Sequence, residues 1–310
     1  MNRLKLMLFA AMMPLMADAQ EFTLANEYAK QLKYYPFVRP FEGDTCGFCA
    51  KYNVEYANIS GRRLTVDVFL PDSKPSGTMP VLLMVHGGGW RSGSKEMDHP
   101  IARSLAARGL AVVCVDYRKS AEALYPAAVE DVSCAVRWVR SVATRYAFDT
   151  NRITIAGTSA GGQLAALIGS VNGCNGLYSN GLYADQSSAV ARVIDLDGVL
   201  AFIHPLSSEG QDRPGKPSAA TQWFGCTVQD CAAKWNEASA LHNVWAGSAD
   251  FLFISSDRPR FSAGRTEMVS QLRRMGRSAT VQCFGATPHT FWLFEPWAPQ
   301  VVELMVDFCK

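Results

Sequence analysis

The sequence carries almost no net charge: its 310 residues include 30 basic and 28 acidic side chains, a formal charge of +2. Proteins that bind nucleic acid or an acidic membrane surface usually show a strong basic excess. This balance therefore supports neither kind of partner, and we expect no nucleic-acid binding. The chain also shows no internal repeat, and its 48% of hydrophobic residues is enough for the core of a globular protein.

The apolar run near the start of the chain, Leu6–Met16, is too short to span a bilayer as a helix. Arg3 and Lys5 precede this run, and Ala17-Asp18-Ala19 follows it as a small-residue cleavage site. No cysteine stands where a lipoprotein would need one. We therefore expect residues 1–19 to be a secretory signal peptide, and the product to be periplasmic or secreted with no stable membrane anchor.

Nine cysteines follow the expected signal peptide, and export makes disulfide bonds plausible. Cys226 and Cys231 bracket a short loop and are predicted to form a local bridge. Cys46 and Cys49 are open to three interpretations: a tight disulfide, an unpaired turn, or half of a zinc site. The zinc interpretation is disfavoured because the spacing of the two cysteine pairs matches no familiar zinc ribbon, so no metal is expected.

A serine flanked by glycines is the most informative local motif. Gly157-Thr158-Ser159-Ala160-Gly161-Gly162 follows the short apolar strand Ile153–Ala156 and precedes the helix-forming stretch Gln163–Ile168. A tight turn between a strand and a helix holds a nucleophilic serine in a strained conformation, with its oxygen at the helix N-terminus. The alternative is a glycine-rich helix start with a passive serine.

A glycine-rich loop lies upstream of this motif. Pro80–Val85 has the composition of a buried strand, and it leads into His86-Gly87-Gly88-Gly89-Trp90. Successive glycines leave backbone N–H groups unshielded, so they can point at a substrate oxyanion. We expect the oxyanion hole to comprise Gly88 and Gly89 of this loop, together with the N–H of Ala160, the residue just after the serine.

Together, the HGGGW loop and the GTSAGG turn resemble those of the α/β-hydrolase esterases, a branch that includes acetyl and feruloyl esterases of plant polysaccharides. The resemblance extends from about Tyr52 to the C-terminus. It implies a cofactor-free serine carboxylesterase acting on a small-molecule or polysaccharide ester, with Ser159 as nucleophile. It also implies that His86 shapes the oxyanion loop. A serine exopeptidase of the same fold and a non-catalytic binding protein are the alternatives.

The resemblance also predicts where the general base lies. In this fold a histidine follows the last strand, here predicted at Ala279–Phe284, and His289 occupies that loop. The sequence has five histidines, and the other four lie in less suitable segments. A neutral imidazole near pH 7 can accept the serine proton and return it to the leaving alcohol.

The acidic member of the triad is the most open assignment. Asp257 follows the predicted penultimate strand Phe251–Ser255, where the acid of related hydrolases usually lies, and it is the preferred candidate. The usual His-Gly pair before the acid is absent, and arginines flank Asp257. Glu267 belongs to a predicted helix over about 264–275. The loop after the preceding strand offers three further carboxylates: Asp195, Asp197 and Glu209.

The order of the predicted elements indicates an α/β fold with a mostly parallel central sheet, helices on both faces and an antiparallel N-terminal strand pair at Tyr52–Asn58 and Leu64–Leu70. Residues 20–51 are predicted to be an N-terminal extension with little regular structure. The catalytic domain then covers 52–310. An insertion near 201–240 is predicted to be either a lid or substrate wall, or an inert decoration.

Two tryptophans near the motifs are candidate substrate contacts. Trp90 ends the oxyanion loop, and Trp292 follows the predicted catalytic histidine. Exposed aromatic rings beside an active site can stack on a sugar or feruloyl ring. The alternative is hydrophobic packing beneath the loops.

Overall fold

The computed structural model describes residues 22–73, 77–174, 177–256 and 258–310. Within these ranges the chain forms two sheets. The strands are β1 (Arg39–Pro40), β2 (Phe48–Ile59), β3 (Arg62–Pro71), β4 (Met79–Val85), β5 (Ala111–Val115), β6 (Phe148–Thr158), β7 (Arg192–Leu196), β8 (Asp250–Ser255), β9 (Ala279–Cys283) and β10 (Phe294–Glu295).

Helices connect most of these strands. They are α1 (Leu24–Gln31), α2 (His99–Ala107), α3 (Ala127–Ser141), α4 (Ala143–Tyr146), α5 (Ala160–Val171), α6 (Ala219–Phe224), α7 (Val228–Glu237), α8 (Arg265–Arg274) and α9 (Trp297–Cys309). Short 3₁₀ helices lie at Lys95–Asp98, Ala240–Asn243, Pro259–Ser262 and Phe291–Leu293.

The larger sheet has the strand order β2-β3-β5-β4-β6-β7-β8-β9. β2, β3 and β5 pair in antiparallel fashion, and the remaining neighbours pair in parallel. This is the α/β-hydrolase architecture that the sequence predicted. One apolar cluster packs α3 and α5 against one face of the sheet, and a second packs α2 and α9 against the other face.

The register of the parallel strands brings their carboxyl ends to one edge. Val85 of β4 pairs with Gly157 of β6, and Thr158 pairs with Leu196 of β7. Leu196 in turn pairs with Ile254 of β8. Residues that directly follow β4, β6, β7 and β8 therefore meet at the same edge of the sheet, where ligand sites of open α/β sheets lie.

The N-terminal extension differs from its prediction because residues 24–31 form helix α1. The Thr23 side chain caps this helix by accepting a hydrogen bond from the Asn26 N–H at 3.2 Å, and Gln31 Nε2 donates to Glu27 Oε1 at 2.6 Å. A helix of 8 residues offers too short an apolar pattern to be recognised in the sequence. The later part of the extension, from Phe48 onward, already belongs to β2.

The insertion near 201–240 contains α6 and α7 and packs into the core through Trp223, Phe224 and Trp235, all fully buried. The predicted disulfide between Cys226 and Cys231 is present and joins the loop between these two helices to α7. Cys46 and Cys49 carry no disulfide. Among the described residues, no helix combines the length and the apolar character that crossing a membrane requires.

Candidate active site

Ser159 occupies a strained turn between β6 and α5. Its backbone has φ 53° and ψ −115°, a left-handed region that residues other than glycine seldom occupy. Its N–H donates to the Leu196 carbonyl at 2.8 Å, which ties the turn to the neighbouring strand. A strained serine held at the start of a helix is the arrangement that the sequence predicted.

The glycines around Ser159 are required by close backbone packing. A Cβ on Gly157 would lie 2.1 Å from the Gly161 carbonyl oxygen. A Cβ on Gly161 would lie 2.0 Å from the Val85 carbonyl oxygen. Any side chain at either position would force the strand and the helix apart, so both glycines allow the turn that presents the serine.

His289 lies next to Ser159, as predicted. Its Nε2 is 2.8 Å from Ser159 Oγ, and its ring stacks on Phe261 with centroids 3.7 Å apart. Burial lowers the pKa of His289 below its usual value, and the hydrogen bond to Asp197 opposes this shift. The imidazole therefore favours its neutral form, which can accept a proton from the serine.

The carboxylate that contacts His289 is Asp197, directly after β7. Its Oδ2 is 3.0 Å from His289 Nδ1, and only 1% of the residue is exposed. The Ser256 N–H donates to Asp197 Oδ1 at 2.8 Å, and the Ser256 hydroxyl donates to Oδ2. These bonds fix the carboxylate against the imidazole.

Asp257, the preferred candidate for the acid, lies outside the described residues, and the carboxylate that the structure places against His289 is Asp197. The loop after β8 contributes the hydrogen-bond donor Ser256 to the site, and Asp197 comes from the loop after β7, which was the alternative. One feature of the sequence pointed away from the loop after β8 as the source of the acid. Ser255-Ser256 stands where a His-Gly pair usually precedes the acid, so this loop departs from the usual pattern.

The other candidate acids have different partners. Glu267 is half exposed on α8 and lies 3.3 Å from His204 Nε2. Glu209 is buried and holds Arg260. Asp195 accepts a hydrogen bond from the Gly198 N–H at 2.9 Å, and burial, with the nearby Asp197 charge, raises the pKa of Asp195 to about 8. Asp195 therefore favours its protonated form near neutral pH.

The HGGGW loop lies beside the serine. Gly88 and Gly89 line the same cavity as Ser159 and adopt φ values of 125° and 59°. A Cβ on Gly88 would lie 2.0 Å from the Ser92 carbonyl oxygen, so the tight loop requires glycine there. Ala160 is the first residue of α5, where backbone N–H groups have no partner within the helix.

His86 supports this loop from below. Its buried ring stacks on Tyr117 at 4.4 Å between centroids, and its Nδ1 is 2.7 Å from the Gly87 carbonyl oxygen. The Tyr117 hydroxyl donates to the His86 carbonyl at 2.9 Å. Burial lowers the pKa of His86 to about 4, so the ring is a neutral packing element of the loop.

Trp90 and Trp292 are not exposed substrate contacts, contrary to the prediction, because each is only 2% exposed. Trp90 stacks on Trp223 with centroids 4.9 Å apart and donates from Nε1 to Gln163 at 2.9 Å. Trp292 packs against the His289 ring in a T-shaped arrangement, with 5.1 Å between centroids. Both rings are packed in the core beneath the site loops. Trp223 of the insertion covers Trp90, and the apolar cluster of the C-terminal helix includes Trp292.

A cavity of about 1020 Å³ opens in front of Ser159 and His289. Besides the oxyanion loop, three further segments form its walls, and the sequence named only one of them, the insertion, as a candidate wall. Helix α1 contributes Glu27 and Lys30, α6 of the insertion contributes Gln222, and the 3₁₀ helix after β8 contributes Arg260. The insertion is thus a wall of the cavity. Among the described residues, no group of histidine, cysteine or acidic side chains is arranged to hold a metal ion.

Known esterases resemble parts of this chain. Carboxylesterase NlhH of Mycobacterium tuberculosis is 43% identical over 91 residues, which cover 29% of this chain and 28% of that protein. Esterase LipC of the same organism is 36% identical over 105 residues, 34% of this chain and 26% of that protein. The matched segment thus spans little more than a quarter of the length of these curated relatives.

Solved structures share the fold over most of the chain. A truncated carbohydrate esterase from gut microbiota superposes with a TM-score of 0.72 at 24% identity, covering 86% of this chain and 98% of that structure. A propionate-bound esterase of Thermogutta terrifontis gives a TM-score of 0.67 at 24% identity, covering 84% and 93%. The sequence profile of the BD-FAE family matches residues 66–261, well over half of the sequence, and the chain therefore belongs to the BD-FAE family.

Proposed function

We propose that this protein is an exported serine carboxylesterase that hydrolyses short acyl esters, acetyl or feruloyl, on polysaccharides. One observation carries the proposal: Ser159 Oγ lies 2.8 Å from His289 Nε2, and His289 Nδ1 lies 3.0 Å from Asp197 Oδ2. A hydroxyl, an imidazole and a carboxylate in this order form the relay that activates a serine for attack on an ester carbonyl.

In the first half of the proposed reaction, Ser159 Oγ attacks the carbonyl carbon and its proton passes to His289 Nε2. The Asp197 carboxylate accepts a hydrogen bond from the Nδ1–H of His289 and stabilises the imidazolium that forms. The carbonyl oxygen becomes an oxyanion beside the N–H groups of the Gly88–Gly89 loop and of Ala160. Donors fixed in place before the reaction stabilise this charge without reorganisation.

Collapse of the tetrahedral intermediate breaks the bond to the alcohol, and His289 protonates the leaving oxygen. Water then enters, His289 removes one of its protons, and the resulting hydroxyl attacks the acyl-serine. A second tetrahedral intermediate releases the carboxylic acid and restores Ser159 with its proton. Every proton taken by His289 is returned, so the cycle requires only ester and water.

Structural neighbours support the substrate class, and the disulfide supports export. Structures with this fold include the gut-microbiota carbohydrate esterase and Thermogutta terrifontis esterase 2 with propionate or butyrate bound, which favours short acyl groups and a carbohydrate alcohol. The expected signal peptide, residues 1–19, lies outside the described residues. The disulfide between Cys226 and Cys231 is consistent with an oxidising compartment.

The proposed function predicts a preference for short or aromatic acyl groups. Purified protein should hydrolyse acetyl and feruloyl esters faster than a palmitoyl ester of the same alcohol, because charged side chains such as Lys30, Arg91 and Arg260 line the cavity and a long lipid chain would have to pack against them. Initial rates on the three esters would measure this. Fastest turnover of the palmitoyl ester would overturn the acyl preference, and no hydrolysis of any of them would overturn the esterase assignment.

The lowered pKa of His289 predicts the pH dependence. The imidazole must be neutral to accept the serine proton, so kcat/KM should fall as the pH drops through the His289 pKa. Burial lowers that pKa, so the midpoint should lie below the usual histidine value of about 6.5. A profile of kcat/KM against pH on an acetyl ester would locate it. A midpoint above the usual histidine value would contradict the prediction.

A further inference from the structure

The cavity in front of Ser159 is lined by more positive than negative side chains. Its cationic residues are Lys30, Arg91, Lys119 and Arg260, and its one carboxylate among the described lining residues is Glu27. The chain as a whole is close to neutral, with a formal charge of +2. The positive wall is therefore a local feature of the site and does not follow from overall composition.

The lining carboxylate is already engaged. Glu27 is 7% exposed, and its Oε1 accepts hydrogen bonds from Gln31 Nε2 at 2.6 Å and from the Thr290 hydroxyl at 2.9 Å. Lys30 adds an ion pair at 3.2 Å. These contacts anchor α1 to the loop that carries His289, so the Glu27 charge is largely satisfied and opposes an incoming anion only weakly.

Two of the cations are held by carboxylates that do not line the cavity. Asp116 lies 3.2 Å from Lys119 Nζ. Buried Glu209 accepts from Arg260 Nε and from Nη2, the latter at 3.0 Å. The fork of Arg260 thus uses two of its three nitrogens on Glu209, and the third remains to donate to another partner.

Arg91 adds a positive charge without a matching carboxylate. It directly follows the HGGGW loop and is exposed at the cavity wall. Within the part of the chain that the structure describes, its side chain makes no hydrogen bond or ion pair. A guanidinium in this state is ready to bind a carboxylate with two parallel hydrogen bonds.

We propose that the natural substrate is an ester that carries a negative charge, a carboxylate above all, on its alcohol or acyl part, and that the cationic wall of the cavity binds this charge. The inference rests on the esterase function proposed above and names its substrate class. A concave site lined with charge of one sign concentrates ligands of the opposite sign and raises their association rate. Arg91 and Arg260 further supply directional donors for a carboxylate.

Two matched pairs of esters test this proposal. In the first, para-acetoxybenzoate and its methyl ester differ by one negative charge on the alcohol part. In the second, the p-nitrophenyl monoester of succinate and its methylated form differ by one charge on the acyl part. The anionic member should show a kcat/KM about tenfold higher in at least one pair, and the advantage should shrink with added salt. Equal kcat/KM within both pairs, or a preference for the neutral members, would overturn the proposal.

Substitution then locates the effect. Arg91→Gln should lower the anionic-to-neutral ratio of kcat/KM by about threefold or more, because it removes the unpaired cation of the wall. Arg145→Gln is the matched control: Arg145 is exposed beyond the amino end of β6, at the opposite edge of the sheet from Ser159, and the ratio should not change. An equal ratio in wild-type protein and Arg91→Gln would remove Arg91 from charge recognition.

The two proposals fail in distinguishable ways. If the esterase assignment is wrong, neither member of either pair is hydrolysed. If only the charge inference is wrong, the neutral esters are hydrolysed and the anionic ones gain nothing. Hydrolysis of both with the expected ratio, lost on adding salt, supports both proposals together.

Discussion

Replacing Ser159 with alanine is expected to abolish ester hydrolysis, with kcat falling by about 10⁴-fold or more, because it removes the hydroxyl that is proposed to form the acyl intermediate. The serine hydroxyl lies 2.8 Å from His289 Nε2 and faces the cavity. Alanine removes this oxygen and keeps the Cβ, so the turn itself should persist. Rates on p-nitrophenyl acetate, together with the thermal unfolding midpoint, would measure both effects.

A matched control separates chemistry from folding in this experiment. Ser270→Ala changes an exposed serine of α8 outside the cavity and should leave kcat unchanged. A fluorophosphonate probe should label wild-type protein and Ser270→Ala, and it should fail to label Ser159→Ala. Hydrolysis retained by Ser159→Ala with an unchanged unfolding midpoint would end the serine-esterase proposal.

Elements with strong local patterns could be predicted from the sequence. The apolar run Pro80–Val85, predicted to be a buried strand, lies in β4, and the strand before Ser159 and the helix after it lie where the glycine motif required them. His289 could be placed because the loop after the last strand has a fixed position in this fold. In each case, a short stretch of sequence carried enough information.

What the sequence could not provide was tertiary context. Trp90 follows a glycine loop, and nothing local indicates that Trp223, more than a hundred residues later, covers its ring. The contribution of α1 to the cavity depends on the Glu27 contact with Thr290, across nearly the whole chain. Such long-range contacts determine whether a side chain is buried. An aromatic ring that is buried packs in the core, and only an exposed ring can contact substrate.

The acid shows the same limit at a single residue. The loops after β7 and β8 both end at the edge where His289 lies, since their strands are paired in parallel with Leu196 beside Ile254. Chain order alone therefore left both loops possible. The choice follows from Asp197, whose backbone adopts φ 51° and whose carboxylate receives two hydrogen bonds from Ser256. The sequence does not show which of the two loops supplies the acid and which supplies the serine that hydrogen-bonds to it. Only the three-dimensional contacts show that Asp197 contacts His289 and that Ser256 donates to Asp197.

Replacing Asp197 with asparagine should therefore lower kcat by about 10⁴-fold, because the amide can donate to Nδ1 and stabilise the wrong imidazole tautomer. The asparagine keeps the size of the side chain and can still accept a hydrogen bond from Ser256, so the fold should survive. Steady-state rates on p-nitrophenyl acetate would show the loss, and circular dichroism would check the fold.

Asp257→Asn is the decisive comparison, since chain position favoured Asp257 and the contact with His289 favours Asp197. If Asp197 orients the imidazole, Asp257→Asn should keep a kcat within about threefold of wild type, because it leaves the acid of the relay intact. The pH profile adds a second readout: Asp197→Asn removes the negative charge that raises the pKa of His289, so any residual activity should titrate at a lower pH than in wild type. A reversed ranking, with Asp257→Asn inactive and Asp197→Asn near wild type, would assign the acid to the loop after β8 despite the 3.0 Å contact between Asp197 and His289.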